Sequence, residues 1–197
     1  MHEPLLPPET LTRYADAIVQ ASLRVGKGDT LVVQGQPEHR ELLVAVAESA
    51  YRAGARFVDP VTVDPLVVRA RLLHAANDAL GVLSPWSLRR YREVSTPSGA
   101  LVQISGEGEA GYLDGVPAER IAADFSGLAR QTGFLRRRQL DMEARWALAA
   151  WPTDHWAGQV YPKLEPLRAK RKLARDLIRF CRLDDEDGKG ASGWLAH

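Results

Sequence analysis

The fold is decided by one stretch near the end of the chain, Arg145-Trp-Ala-Leu-Ala-Ala-Trp-Pro-Thr-Asp-His-Trp-Ala157. Residues 146–151 are a short and wholly apolar run, which is typical of a strand buried on both faces of a sheet. Pro152 ends this run because proline cannot donate a hydrogen bond to a strand ladder. Thr153 can then cap a helix that begins at Asp154, whose carboxylate suits the positive end of the helix dipole. We therefore predict a buried strand, an abrupt stop and a helix N-terminus.

Four residues of this turn are candidates for a substrate cleft or a domain interface: Trp151, Thr153, His155 and Trp156. Open α/β sheets place their ligand clefts at the carboxyl ends of strands. If the turn borders such a cleft, Trp151 or Trp156 should be partly exposed. Core packing is the simpler interpretation of the two tryptophans, because aromatic residues mostly serve that purpose. For His155, a solvated residue in the first turn of a helix is favoured over a metal ligand or a catalytic base.

Outward from this turn, the sequence alternates between strand and helix patterns. Apolar runs predict strands at residues 30–34, 56–63, 100–105 and 144–151, and helical periodicity or start signals predict helices at 10–25, from 37, at 64–74, from 84, at 117–140 and at 165–182. This order predicts an α/β fold, a mainly parallel sheet of about four to five strands with helices on both faces. Pro60 demotes the later half of the second strand to an edge or a bulge. We expect one domain at residues 1–183 and a linker at residues 184–197, which are acidic and then rich in glycine.

Length and composition are those of an ordinary globular chain. With 197 residues, of which 45% are hydrophobic and 26% charged, the chain can bury one substantial core. The formal net charge of +1 gives no general case for binding nucleic acid or acidic lipid. No apolar run reaches the length of a membrane span, and the N-terminus lacks a signal-peptide pattern. The single cysteine, Cys181, excludes an internal disulfide and fits a reducing compartment, so the cytoplasm is the expected location.

Residues 106–111, Gly-Glu-Gly-Glu-Ala-Gly, match the G-x-G-x-x-G pattern and follow a predicted strand. A dinucleotide site needs this turn to run straight into a helix whose N-terminus holds the pyrophosphate. Here the next helix begins only at Pro117, and Glu107 and Glu109 would set negative charge against the phosphates. A surface loop is therefore the favoured interpretation over a nucleotide site.

The sequence offers no catalytic residue and no metal ligand that a motif would identify. The histidines are scattered, at His2, His39, His74, His155 and His197. The chain contains no H-E-x-x-H, C-x-x-C or G-x-S-x-G pattern. We therefore predict neither a metal site nor a catalytic nucleophile within these residues.

The last predicted helix carries a basic run, Lys170-Arg-Lys172, followed by the acidic residues 184–187. No aromatic residues are interleaved with the basic ones to stack on bases. A solvated helix face is therefore favoured over a nucleic-acid interface.

Several stretches, taken in order, resemble a known family. They are Leu11-Thr-Arg-Tyr-Ala-Asp-Ala-Ile-Val19 with Gly26-Lys-Gly-Asp-Thr-Leu-Val-Val33, then Glu48-Ser-Ala-Tyr-Arg-Ala-Gly-Ala55, Gly115-Val-Pro-Ala-Glu-Arg-Ile121, and residues 145–157 with Val160-Tyr-Pro162 and Cys181-Arg-Leu-Asp-Asp-Glu-Asp187. Their order and spacing resemble the N-terminal domain of the metal-dependent aminopeptidases of the aminopeptidase T and aminopeptidase S type, the thermophilic metalloprotease family. The resemblance covers the chain from about Leu11 to its end.

This resemblance implies an enzyme that releases N-terminal residues from peptides with two divalent metal ions, commonly zinc or cobalt. In the family the ligands, mainly Glu, His and Asp, come from a C-terminal domain of comparable size. No ligand is therefore carried over, no metal is expected on this chain, and the chain alone is expected to be inactive. The implied partners are peptide substrates, with a homodimer possible and with neither nucleic acid nor membrane. A stand-alone, non-catalytic binding or assembly module is the alternative of a different class.

Overall fold

The computed structural model describes residues 3–106 and 108–184, where four strands form one sheet. The strands are β1 (Thr30–Gly35), β2 (Phe57–Thr62), β3 (Gly99–Ser105) and β4 (Arg145–Ala150). The α-helices are α1 (Pro8–Asp16), α2 (Arg40–Arg52), α3 (Pro65–His74), α4 (Pro85–Val94), α5 (Ala118–Leu140), α6 (Asp154–Val160) and α7 (Pro166–Phe180). A π-helical segment (Ala17–Ser22) prolongs α1, and 3₁₀ turns occupy Pro37–His39, directly before α2, and Asn77–Ala79. The linker expected at 184–197 lies outside the described residues except for Asp184.

All three pairs of neighbouring strands are parallel, in the order β2-β1-β3-β4, so the predicted α/β fold with a parallel sheet is confirmed. From β1 the chain moves to β2 on one side and then returns past β1 to β3 and β4 on the other. The direction of winding therefore reverses between β1 and β3, and the connections after these two strands diverge there. In open α/β sheets such a switch point is where ligands bind.

Side chains alternate along the strands between two cores, one on each face of the sheet. On one face, α1, α2 and α7 cover the larger core, to which β1 contributes Leu31 and Val33. On the other face, α4 and α5 cover a smaller core, in which Val94 of α4 packs with Val32 and Leu101. The prediction of helices on both faces is confirmed.

Strand β4 corrects one expectation. The apolar run 146–151 predicts a strand buried on both faces, and this is wrong, because β4 is an edge strand of the described sheet. Ala149 lies in the larger core, whereas Trp146 is 37% exposed and Leu148 is 64% exposed on the opposite face. A short apolar run does not distinguish a central strand from an edge strand with one covered face.

Local sequence signals are confirmed elsewhere. Strand β2 is the other edge of the sheet, which is where a strand tolerates a proline such as Pro60. Asp64 caps α3, since its side chain accepts a hydrogen bond from the Leu66 N–H at 2.8 Å. Glu165 caps α7 in the same way, and Pro117 directly precedes α5.

Candidate functional site

The turn after β4 begins with a tryptophan that belongs to the core. Trp151 is 1% exposed, lies in the larger core and stacks against Tyr14, with ring centroids 6.4 Å apart. The Tyr14 hydroxyl donates to the Ala150 carbonyl at 3.0 Å and accepts from the Ala150 N–H at 3.1 Å. Burial raises the pKa of Tyr14, so the hydroxyl stays neutral and pairs main-chain groups of an edge strand. Trp151 therefore presents no surface to a cleft.

The other three candidates of the turn lie nearer the surface or shape it. Thr153 is buried and caps α6, because its side-chain oxygen accepts a hydrogen bond from the Trp156 N–H at 3.2 Å. Trp156 is half-buried and packs against a small cluster of α6 and α7 residues. His155 is half-buried, and its Nε2 lies 3.0 Å from the Gln159 side-chain nitrogen. The capping role of Thr153 is confirmed, and the role of the turn as a cleft wall or interface stays a prediction.

A buried lysine holds this turn against the start of α2. Lys170 is 8% exposed, and its Nζ pairs with Glu38 and lies 3.1 Å from Asp154 Oδ1. The Asp154 N–H also donates to Glu38 Oε2, at 2.9 Å. The expectation that Lys170 belongs to a solvated face is therefore wrong. A buried cation of this kind is tolerated only with such partners, which no local pattern in the sequence reveals.

His39 is fully buried beneath the same edge of the sheet, and sequence reasoning missed it. Its Nδ1 accepts a hydrogen bond from the Gln36 N–H at 3.1 Å, which leaves the ring proton on Nε2. Among the described residues, Nε2 makes no hydrogen bond of good geometry, and the ring has only a weaker polar contact, with the main chain of Ile104. A Cβ placed on Gly106 would lie 3.2 Å from this atom, and one on Gly35 would lie 3.2 Å from the Cβ of His39. Two glycines that are distant in sequence therefore make room for the ring.

The stability of the domain should depend on pH through His39. Burial lowers the pKa of His39, an effect that nearby Glu38 opposes and nearby Lys170 reinforces. Below about pH 6.5, the ordinary histidine pKa, the unfolded chain takes up a proton that the folded chain resists. The free energy of unfolding should therefore fall as the pH falls below that value.

Urea unfolding at pH values above and below the histidine pKa measures this effect. In His39→Gln, the free energy of unfolding should fall less between the two pH values than it does in the unaltered chain. His74→Gln, at an exposed position at the end of α3, is the matched control and should retain the whole decrease. An identical pH dependence in all three proteins would contradict the assignment to His39.

A crevice opens at the carboxyl ends of β1 and β3, at the switch point of the sheet. Its volume is about 230 Å³, and its lining consists of Gln34, Gly35, Gln36, Val63, Gln103, Ile104, Ser105, Gly106 and Leu148. Gly106 separates this crevice from the turn after β4, since a Cβ at Gly106 would lie 2.4 Å from the Trp151 carbonyl oxygen. Of the predicted candidates, Trp151 and Thr153 therefore lie across Gly106 from the crevice, and the sequence did not predict the residues that line the crevice.

The described part of the glycine-rich stretch after β3 does not lead directly into a helix. In the described part of this stretch, residues 108–115 follow bends and turns, and α5 begins only at Ala118. Glu107 lies outside the described residues. The prediction that this glycine pattern does not run into a helix is confirmed.

Neither a metal centre nor a membrane span is found in the part of the chain that the structure describes. Within residues 3–106 and 108–184, no three His, Cys, Asp or Glu side chains come together so as to hold a metal ion. No helix in those same ranges is both long and apolar enough to cross a membrane.

The parallel sheet and the crevice at its switch point define an α/β domain with a small crevice at its strand ends. Residues 8–197 match the family described as Thermophilic metalloprotease (M29). The chain belongs to this family and corresponds to its N-terminal domain.

The chain is similar to several aminopeptidases. Aminopeptidase T of Thermus thermophilus is 25% identical over 187 residues, which are 95% of this chain and 45% of that protein. Aminopeptidase 2 of Geobacillus stearothermophilus is 26% identical with the same coverage, and aminopeptidase AmpS of Bacillus subtilis is 21% identical over 96% of this chain and 45% of its own length. The solved structure of wild-type AmpT from Thermus thermophilus shares the fold, with a TM-score of 0.76 at 23% identity over 86% of this chain and 42% of that chain. The chain thus spans less than half the length of these relatives.

Proposed function

We propose that this chain is the N-terminal domain of a metallo-aminopeptidase that releases N-terminal residues from peptides. The observation that carries the proposal is the family match over residues 8–197, to relatives that are themselves named aminopeptidases. A reducing compartment suits the single cysteine, so we place the enzyme in the cytoplasm. A homodimer is part of the same proposal.

The metal ions are proposed to be held outside the described residues. Two-metal hydrolysis requires several fixed carboxylate and imidazole ligands around ions about 3.5–4 Å apart. The described residues do not fit this requirement, since they bring no three candidate ligands together. We therefore assign the zinc or cobalt ions of the family to a C-terminal domain and derive no chemical step from this chain.

We propose that this chain forms one wall of the substrate cleft. The turn 151–156, the buried Lys170 network and the crevice all lie at the carboxyl edge of the sheet. Trp156 and His155 are half-exposed there, and we propose that they face the second domain or the peptide. The ion pairs of the buried Lys170 with Glu38 and Asp154 support this role because they hold the turn against the start of α2.

A second candidate function is a stand-alone, non-catalytic binding module. The crevice favours it, because a preformed site lined by uncharged polar and apolar groups can bind a small ligand without any metal. The two functions differ in whether peptide hydrolysis occurs once the remaining protein is present.

The purified chain of 197 residues should not hydrolyse amino-acid p-nitroanilides. Addition of zinc or cobalt should leave the release of p-nitroaniline at the rate of the buffer control, because a complete ligand set is missing from the described residues. Circular dichroism on the same sample verifies that the protein is folded. Metal-stimulated turnover that a chelator abolishes would show that the chain carries its own catalytic centre.

A further inference from the structure

The crevice at the switch point is built from the sheet face that elsewhere forms a core. On the side covered by α4 and α5, neighbouring strands align Val32 with Leu101, and both are buried. Two residues further along, the same register aligns Gln34 with Gln103, and Gln103 with Leu148. The face therefore changes from aliphatic side chains to two adjacent amides just where the strands end.

These amides are only partly satisfied within the protein. Gln34 Oε1 lies 3.5 Å from the Tyr91 hydroxyl, which is a weak hydrogen bond. The Gln103 side chain is half-buried, and within the described part of the chain no group forms a hydrogen bond with its amide. Neither amide is among the fully buried polar atoms that lack a partner, so its free donors and acceptors remain accessible to a ligand.

The lining restricts the chemistry of that ligand. Gln36 and Ser105 extend the same face beyond the two central amides, and Val63 and Leu148 complete the wall. None of the nine lining residues carries a charge, so the crevice selects an uncharged group. Glutamine amides offer one acceptor and two donors each, which is the pattern that a peptide group complements.

The volume of the crevice limits the size of the ligand. Pockets for drug-sized ligands measure about 300–1,000 Å³, and this crevice of about 230 Å³ is smaller. It therefore has room for a segment of one or two residues rather than for a dinucleotide.

We propose that the Gln34–Gln103 crevice is a subsite for the main chain of a peptide, which it holds through amide-to-amide hydrogen bonds. The nature of the ligand rests on the proposed aminopeptidase function, and the site itself rests on the geometry. The subsite would bind peptide at the N-terminal domain independently of any metal ion.

Titration of the ¹⁵N-labelled chain of 197 residues with N-acetyl-alanyl-alanine amide tests the proposal. This probe carries peptide groups without charge, and it should shift the side-chain NH₂ resonances of Gln34 and Gln103 with millimolar affinity. Adenosine monophosphate, titrated separately, represents the ligand class that other switch-point sites bind. Shifts of the same resonances by the nucleotide and not by the blocked dipeptide would overturn the proposal.

Three variants test whether the amide of Gln103 is responsible for the binding. Gln103→Leu removes the amide at nearly constant volume, and Gln103→Glu keeps the shape but removes the N–H donors. Each should weaken binding of the blocked dipeptide by about tenfold, the effect of losing one or two hydrogen bonds. Gln20→Leu, at an exposed position in the π-helical segment, should leave the affinity unchanged. Equal affinities in Gln20→Leu and both Gln103 variants, each with a folded-protein spectrum, would refute the assignment.

The aminopeptidase function and the peptide subsite can be refuted independently of each other. If the protein encoded by the whole reading frame hydrolyses peptides but this chain does not bind the blocked dipeptide, only the subsite is refuted. If the dipeptide binds here while the whole protein hydrolyses no peptide, the crevice stands as a peptide-binding site and the aminopeptidase function is refuted.

Discussion

Gly106→Ala is expected to lower the free energy of unfolding by about 2–3 kcal/mol, at the upper end of the usual cost of overpacking. The added Cβ would lie 2.4 Å from the Trp151 carbonyl oxygen and 3.2 Å from His39 Nε2. The carbonyl cannot easily retreat, because the Trp151 N–H donates to the Ser105 carbonyl at 2.8 Å and the indole is fixed in the core. The methyl group would therefore force apart the ends of β3 and β4.

Urea unfolding of Gly106→Ala beside Gly133→Ala measures this effect. Gly133 is an exposed position within α5, and no atom lies within 4 Å of the Cβ that alanine would add. Gly133→Ala should therefore gain about 0.5–1 kcal/mol from helix propensity alone. Equal stabilities of the two variants would contradict the close approach at the candidate site.

The fold follows from sequence wherever the signal is local. Alternating strand and helix patterns, a proline at an edge strand and a capping residue such as Thr153 each act over a few positions. The misassignment of β4 has a different origin, because the position of a strand within a sheet is set by the order of all strands. An apolar run such as residues 146–151 is compatible with either a central or an edge position.

The candidate site was less predictable, because its parts meet only in the folded chain. Lys170 and Glu38 are separated by 132 positions, and nothing in the sequence near Lys170 marks it as buried. Gln34 and Gln103 become neighbours only through the register of β1 with β3. Trp151 was a candidate because it ends a strand, and its burial follows from contact with Tyr14 near the other end of the chain.

In the proposed two-domain enzyme, removal of the metal should abolish aminopeptidase activity completely. The metal ions would supply the polarisation of the scissile carbonyl and the activation of water, and the described residues offer no substitute for that chemistry. Addition of zinc or cobalt to the stripped protein should restore the activity. Stability of the N-terminal domain should be unaffected by the chelator, since its described residues bring no metal site together.

The most direct measurement of the central claim is release of the N-terminal residue from an unblocked peptide by that whole protein, followed by mass spectrometry. We predict a product shortened by one residue at its N-terminus, no cleavage of the N-acetylated peptide, and no cleavage of either peptide after chelation. Residues 1–197 alone, as the matched control, should leave both peptides intact. Cleavage that persists without metal, or the absence of any cleavage by the metal-loaded whole protein, would contradict the assignment of this chain to a metallo-aminopeptidase.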